Sequence, residues 1–355
     1  MKGRQQSWRH GLFGTPLNAV LTLVVLALAA WVVPAFLRWA VFNAVWRGAS
    51  SDACGHGGGA CWAMIAAKFR FILFGLYPPE ERWRPGLVLV ILIGLVLATA
   101  WPRLWSRRMA WVWVGAIIVA VGLMAGGLPG MPLVGTDRWG GLPLTLLMTV
   151  VAVAGAFPLS LALALGRRSR MGGVRWLSIA FIEVVRGVPT LGILYAATLL
   201  FPLMLPAGAG VDKLLRVQVA FTCFVAAYLA EILRAGFQAV PSGQIEAAQA
   251  LGLGRGLVIY LVLMPQALRI VVPALVTLCI GMFQETTLVT VIGVFDFMAT
   301  AHVSASDPDW MGYYDEAHVF AAAFYFVVCY GASRYSRWLE RHLAFGHRVE
   351  PAKAA

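Results

Sequence analysis

Eight stretches of mostly apolar residues, each about long enough to cross a lipid bilayer, dominate this sequence. A transmembrane helix needs about 20 such residues. Apolar residues make up 60% of the 355 and charged residues only 12%, whereas soluble domains hold about 45–50% and about 25%. We therefore predict an all-α membrane protein with about eight transmembrane helices. The stretches lie near residues 17–37, 86–102, 110–128, 141–165, 178–205, 215–233, 258–282 and 317–335.

The Lys and Arg residues between these stretches indicate which way the chain crosses the membrane. Short cytoplasmic loops carry an excess of Lys and Arg. If the N-terminus is inside, 17 of the 28 fall on the cytoplasmic side and nine on the other, with Arg186 and Arg269 within or beside spans. We therefore expect both termini to be cytoplasmic. The formal charge of +12 then reflects cations beside anionic lipid head groups, which argues against nucleic-acid binding.

The chain divides into three parts that differ in their predicted spans and in the placement of polar residues. Residues 1–140 hold three predicted spans and a long outer loop, 38–85, in which apolar residues recur at helical spacing and predict a short helix in the interface plane. Residues 141–340 hold five predicted spans with polar motifs at their ends, and 341–355 form a basic cytoplasmic tail. The first span lacks a cleavage signature and is expected to remain as an anchor.

Two cysteines in the outer loop, Cys54 and Cys61, flank a glycine-rich turn. In an oxidising compartment they could form a disulfide, and free thiols are the main alternative. A metal site with His56 is a third possibility, although two thiols and one imidazole are an incomplete shell for zinc. The other cysteines fall inside predicted spans and are expected to be small core residues: Cys223, Cys279 and Cys329.

Motifs for catalysis are missing from the sequence. It contains no G-x-x-x-x-G-K-[ST] phosphate loop, H-E-x-x-H, G-x-S-x-G or C-x-x-C. We therefore predict a protein that is not an enzyme, with no nucleotide site, metal or cofactor of its own.

The polar patch "PSGQIEAAQALGLGRG", residues 241–256, lies between two apolar stretches on the predicted cytoplasmic side. We predict a short helix in which Pro241 stops the preceding span, Ser242 is the cap and Gly252 provides a left-handed end. Glu246 is expected near the positive end of the helix dipole. The surrounding alanines give a smooth surface on which the groove of another protein could close.

The segment "EAAQALGLGRGLVIYLVLMP", residues 246–265, resembles the EAA loop of ATP-binding cassette (ABC) importer permeases. Val262 and Met264 replace the Ile and Leu that are usual in that frame. The matching residues are Glu246, Ala247, Ala248, Gly252 and Pro265.

The flanking sequence narrows the resemblance. Residues 181–195, 226–252 and 265–297 are similar to the polar amino acid uptake group of permeases. The N-terminal extension, with "GACW" and "YPPEERWR", resembles the membrane subunit of general L-amino acid transporters.

This resemblance implies a five-helix importer permease core with three extra N-terminal helices, importing amino acids across the bacterial inner membrane. The expected partners are an ATP-binding subunit dimer that uses ATP and Mg, a homologous second permease subunit, and a periplasmic amino-acid-binding protein. Coupling to the ATPase is expected through Ser242, Glu246, Ala247, Ala248 and Gly252. The alternative is a self-sufficient secondary transporter or channel for small polar solutes, for which inverted repeats would be expected and none is recognised.

Charged residues within the spans are candidates for the substrate pathway or its gate, because such charges face protein or a water-filled cavity. Glu183 and Arg186, at i and i+3, either pair with each other to brace a kinked helix or leave Arg186 to neutralise a substrate carboxylate. Glu231 either braces the hairpin of the EAA loop or binds a substrate amine. Arg269 is expected to pair with either acid.

A polar run at the end of the seventh apolar stretch completes the candidates. Gln284, Glu285, Thr286 and Thr287 either contact substrate or cap a helix, and relatives usually have a lysine or acid followed by Asp-Thr-Ser here. The loop 288–316 after it contains acids but no Lys or Arg. It is expected either to dock a binding protein or merely to follow the charge bias of outer loops.

Overall fold

The computed structural model describes residues 11–344 apart from 49, 56–57, 128 and 207–209. Within these residues nearly every element is helical, and β pairing is limited to isolated bridges. The predicted N-terminal cations, the alternative metal ligand His56 and residues 345–355 of the predicted tail lie outside the described residues. The main helices are α1 (Pro16–Leu37), α2 (Trp62–Phe74), α3 (Trp83–Thr99), α4 (Arg107–Ala125), α5 (Gly141–Gly166), α6 (Gly172–Gly187), α7 (Thr190–Tyr195), α8 (Lys213–Ala239), α9 (Ser242–Ala250), α10 (Met264–Glu285), α11 (Phe297–Ser304) and α12 (Tyr314–Ala344).

Seven helical segments of the described chain are long and apolar enough to span a bilayer, and one bent pair would make an eighth. The prediction of an all-α membrane protein with about eight spans is therefore confirmed. The seven are Pro16–Phe42, Pro79–Thr99, Arg108–Ala125, Gly141–Gly166, Lys213–Ala239, Arg255–Ile292 and Tyr314–His342.

The predicted fifth span, 178–205, is not one helix. It is a pair, Gly172–Gly187 and Thr190–Leu203, bent by 106°. The break falls at Val188 and Pro189. Proline has no N–H and drives the preceding residue out of the α conformation, and Val188 accordingly has φ −99° and ψ 133°.

By contacts, the chain forms two compact units. One comprises Met1–Phe69 with Ser304–Val319, and the other comprises Arg70–Val303 with Phe320–Ala355. The domain boundary at residue 140 was placed where the polar motifs begin in the sequence, and it stays a prediction.

The helix predicted in the outer loop is present as α2, but Ile65 and Ile72 on it are buried by protein. They therefore do not belong to a lipid-facing side.

Helix α8 is the centre of the larger unit and packs against α5, α6 and α10. Lipid tails are as apolar as leucine, so helices associate in a bilayer by close packing of small residues. Gly236 provides such a contact: a methyl group there would collide with Val271 and lie 3.1 Å from the Ala267 carbonyl oxygen. This packing fixes α8 beside α10, and the EAA segment connects these two helices.

Candidate functional site

The EAA segment forms the short helix α9 (Ser242–Ala250), but its start differs from the prediction. Pro241 occupies the N-cap position and its carbonyl accepts the Gln244 N–H at 3.1 Å. Ser242 is thus the first helical residue and not the cap, because Pro241 leaves the chain in an extended conformation directly before the helix. Glu246 lies beyond the first turn, where the helix dipole has little effect on a carboxylate.

The end of α9 has the expected left-handed glycine. Gly252 has φ +81°, a conformation that side chains with a Cβ rarely adopt. Its N–H donates to the Gln249 carbonyl at 2.9 Å and the next N–H, of Leu253, donates to Ala248 at 3.2 Å. The chain turns back at this point towards α10.

One face of α9 packs on the protein and the other is free. Ala248 is buried, whereas Glu246 and Ala247 are exposed. Leu251, at the tip, is 82% exposed. The free face thus combines small residues, one acid and an uncovered leucine, a surface suited to a shallow groove on another protein.

A cluster of ion pairs joins the end of α5 to α6 and α8. Glu231 on α8 is its centre: one oxygen lies 2.5 Å from Arg167, and the other lies 2.9 Å from Arg234 and 3.9 Å from Arg186. Glu183 lies 3.1 Å from Arg167. The Glu231 side chain is only 15% exposed, so this one carboxylate balances several cations in a largely buried place.

Of the two alternatives for Glu183 and Arg186, a local pair between them is not what the structure has. Arg167, which follows the last residue of α5, forms the ion pair with Glu183. The Arg186 guanidinium lies over the Tyr228 ring, 5.4 Å from its centroid, and 3.9 Å from Glu231. Arg269 is exposed, and within the described residues no ion pair joins it to either acid.

The polar run at the end of α10 is divided between two environments. The Thr286 hydroxyl is buried and donates to the Phe283 carbonyl at 2.7 Å, and the Thr287 hydroxyl donates to Gln284 at 2.9 Å. Both bonds are local and lie at the end of α10. The chain continues from there as a 3₁₀ segment, Thr286–Ile292. Gln284 is exposed and Glu285 is half-buried.

A fully buried carboxylate, Asp296, follows that 3₁₀ segment. Its Oδ1 accepts the Ala299 N–H at 2.8 Å and the Thr290 hydroxyl at 3.1 Å, so it caps α11. Burial raises the pKa of Asp296 to about 6 despite these bonds.

In the smaller unit, the structure joins Cys54 and Cys61 in a disulfide with Cα atoms 5.6 Å apart. The Cys61 N–H donates to Glu316 at 3.0 Å, and Lys68 pairs with Asp307 at 2.5 Å. The hydrogen bond from Lys68 holds the pKa of Asp307 below its usual range. Of the three alternatives for these cysteines, the structure has the disulfide, which leaves neither thiol free to bind a metal.

Several residues of these clusters were missed from sequence. In the sequence, Arg167 and Arg234 were counted only as cations of cytoplasmic loops. Asp296 and Glu316 were counted only as acids of the loop 288–316. Asp296 did carry a signal, because an Asp directly before a helix is a typical N-cap. Arg84, fully buried, was also missed; its guanidinium donates to Glu81 and to the Pro132 carbonyl, each at 2.8 Å.

Comparison with known proteins places these features in a family. Residues 156–345 match the family described as "Binding-protein-dependent transport system inner membrane component". The chain is 41% identical to the inner membrane amino-acid ABC transporter permease protein YhdY of Escherichia coli, over 97% of this chain and 94% of the relative. It is 36% identical to the glutamate/glutamine/aspartate/asparagine transport system permease protein BztC of Rhodobacter capsulatus, over 96% and 94%.

A solved structure is also similar. A chain from the crystal structure of an amino acid ABC transporter with histidines is 33% identical and has a TM-score of 0.52. The match covers 57% of this chain and 92% of that one.

Proposed function

This chain belongs to the family of binding-protein-dependent transport system inner membrane components, and from that premise we propose that it imports amino acids as the permease subunit of an ABC importer. Such a subunit is not an enzyme. We propose further that ATP and Mg act only on a partner ATPase, since the sequence has no phosphate loop. The membrane is proposed to be the bacterial inner membrane, with both termini cytoplasmic.

The observation that carries the coupling proposal is the exposed helix α9 between two packed spans. Its proposed role is to dock in a cleft of the ATPase subunit through Ser242, Glu246, Ala247, Ala248 and Gly252, with Leu251 at the tip. Since α8 and α10 pack closely at Gly236, a push on α9 moves both helices together. Rigid-body motion of this kind is a common way of transmitting a conformational change.

The ion-pair cluster is proposed as the inner gate of the pathway. Glu183, Arg186 and Glu231 connect α6 and α8 with the end of α5, so opening a path between these helices requires separating charges. Direct substrate contact is proposed for Gln284 and Glu285, which keep accessible or half-buried polar groups, with Thr286 and Thr287 shaping the turn behind them.

Three partners are proposed: an ATPase dimer, a homologous second permease subunit and a periplasmic amino-acid-binding protein. The segment 304–316 is the proposed docking surface for the binding protein. It carries the exposed acids Asp309 and Asp315 and no Lys or Arg, which suits a partner with basic residues.

The coupling proposal is tested by changing α9 without changing the spans. We expect Glu246→Arg and Gly252→Asp each to abolish uptake of labelled amino acids and to reduce co-purification of the ATPase subunit, while the amount of inserted chain stays the same. Glu340→Arg, which reverses an exposed carboxylate on α12, is the matched control and should retain both. Normal uptake by the α9 variants would refute the coupling role.

A further inference from the structure

The disulfide turn of the outer loop is bonded to the start of the last helix, 255 residues later in the chain. The Cys61 N–H and the Glu316 carboxylate that accepts it are both buried, with exposures of 0% and 5%. A buried carboxylate is costly unless it is hydrogen-bonded. This contact is therefore a specific anchor between the turn and α12.

A second anchor lies beside the first. Lys68, on α2 just after the turn, forms its ion pair with Asp307, and the Tyr313 hydroxyl donates to the Ser51 carbonyl at 3.4 Å. The segment 304–316 is thus bonded to the disulfide turn near its end, through Glu316, and to helix α2 after the turn near its start, through Asp307. All of these residues belong to the smaller compact unit.

The end of the turn, residues 59–62, is held in place by close contacts. The Ala60 N–H donates to the Trp39 carbonyl at 2.8 Å, and the Trp62 indole N–H donates to Ala40 at 2.7 Å. A methyl group at Gly59 would collide with Asn43. The disulfide closes this turn, so the turn can act as a fixed support.

We propose that the Cys54–Cys61 turn, acting through Glu316 and Lys68, positions the segment 304–316 for docking of the binding protein. The segment lies within the family match at 156–345 and the turn lies before it, so the N-terminal extension supplies a support for a surface of the permease core. A surface that is already ordered loses less entropy when it binds. The inference rests on the proposed function, because it requires a binding-protein partner.

The anchors also explain which acids are left for the partner. Glu316 is occupied by Cys61 and Asp307 by Lys68. Asp309 and Asp315 stay exposed, and the anchors fix their spacing. Cys54, Cys61, Glu316 and Lys68 are thus positioning residues and do not themselves need to touch the partner.

The test measures ATPase activity of the complete complex in nanodiscs, titrated with its binding protein loaded with a mixture of the standard amino acids. We expect Glu316→Ala, and separately the pair Cys54→Ser with Cys61→Ser, to raise the half-saturating concentration of binding protein about tenfold. Basal ATPase activity and the yield of complex should stay unchanged. Glu80→Ala removes an exposed acid that lies outside the turn and is the matched control.

Reducing the Cys54–Cys61 disulfide is an independent test. Dithiothreitol should weaken docking by the wild-type complex to the level of the double serine variant and should not affect that variant further. An unchanged half-saturating concentration in the variants and after reduction would overturn the positioning role. If the wild-type complex is not stimulated by any loaded binding protein, the proposed function itself fails.

Discussion

Among the residues that the structure describes, Glu231 has the greatest number of ion-pair partners, three. Replacing it by Gln keeps the shape and removes the charge that balances Arg167, Arg186 and Arg234. Leaving buried charges unpaired costs several kcal/mol in general, and for this partly exposed cluster we expect a loss of roughly 1–3 kcal/mol. The free energy of unfolding of the purified chain in detergent measures this.

The matched variant is Glu183→Gln. Glu183 is 55% exposed and has one partner, Arg167, so its loss should cost at most about 1 kcal/mol. If the cluster is the inner gate, Glu231→Gln should also raise ATPase activity in the absence of binding protein. Equal effects of the two variants would contradict the central place of Glu231.

Asp296 leads to a prediction about pH. Burial raises its pKa to about 6, so between about pH 4 and pH 6 the folded chain holds a proton that the unfolded chain releases. The contribution of this group to the free energy of unfolding therefore falls as pH rises through that window, by roughly 2–3 kcal/mol. Above pH 6 the ionised carboxylate stays buried and the loss persists.

Asp296→Asn tests this sign. The amide oxygen can still accept from Ala299 and Thr290, but no charge is buried. Thermal unfolding in detergent should therefore depend less on pH between 4 and 6 in the variant than in the wild type, and the variant should gain relative stability as pH rises. A difference between the two proteins that does not change with pH would contradict the assignment.

The sequence could identify charged candidates but not their partners. Glu183 and Arg186 stand one turn apart, and that spacing suggested a local pair. In the structure Glu183 forms an ion pair with Arg167, and Arg186 lies near Glu231. Both contacts join different helices, and no local spacing contains that information.

Among the helices, the contact between α8 and α10 is sensitive to side-chain volume at Gly236. Gly236→Ala places a methyl group against Val271 and near the Ala267 carbonyl, and overpacking of this kind costs roughly 1–3 kcal/mol. Adding Val271→Ala should recover most of the loss. The measurement is again the free energy of unfolding in detergent.

Gly281→Ala is the control for this experiment. Gly281 lies on α10 and a methyl group there would meet nothing within 4 Å, so the change should be neutral or stabilising by up to about 1 kcal/mol. If Gly236→Ala were as harmless as Gly281→Ala, the close approach of the two helices would be refuted.

At the level of helices, length and hydropathy predicted nearly all spans, because twenty apolar residues have few alternatives to crossing a bilayer. The exception was 178–205. Its hydropathy reads as one span, although Pro189 marked a break and α6 carries charges on one side. The direction of a bend depends on packing, so the proline could indicate its position but not its angle of 106°.

For the whole molecule, the central expectation is dependence on partners. In proteoliposomes the purified chain alone should show no ATP-driven uptake of labelled amino acids. Adding the ATPase subunits, the second permease and loaded binding protein should give uptake. Solute movement by the lone chain, with ATP or with an ion gradient, would contradict the proposed function.

The family could be recognised from the sequence because the EAA frame is a contiguous motif. The contact between Cys61 and Glu316 could not, since 255 residues separate the two. Cys61 stood out in the sequence only as a partner for Cys54, and Glu316 did not differ from the other acids of 288–316. Only the folded chain shows that Cys61 is bonded to the start of the last helix.

The corner at Val188 and Pro189 limits how the membrane can surround this protein. The two arms are bent by 106° from a straight line, so they cannot both run along the membrane normal as one continuous span. The last carbonyls of α6 have no next turn to bond to, and hydrocarbon offers them no donor. A hydrogen-bond donor from water, from a neighbouring helix or from a partner must therefore reach this corner.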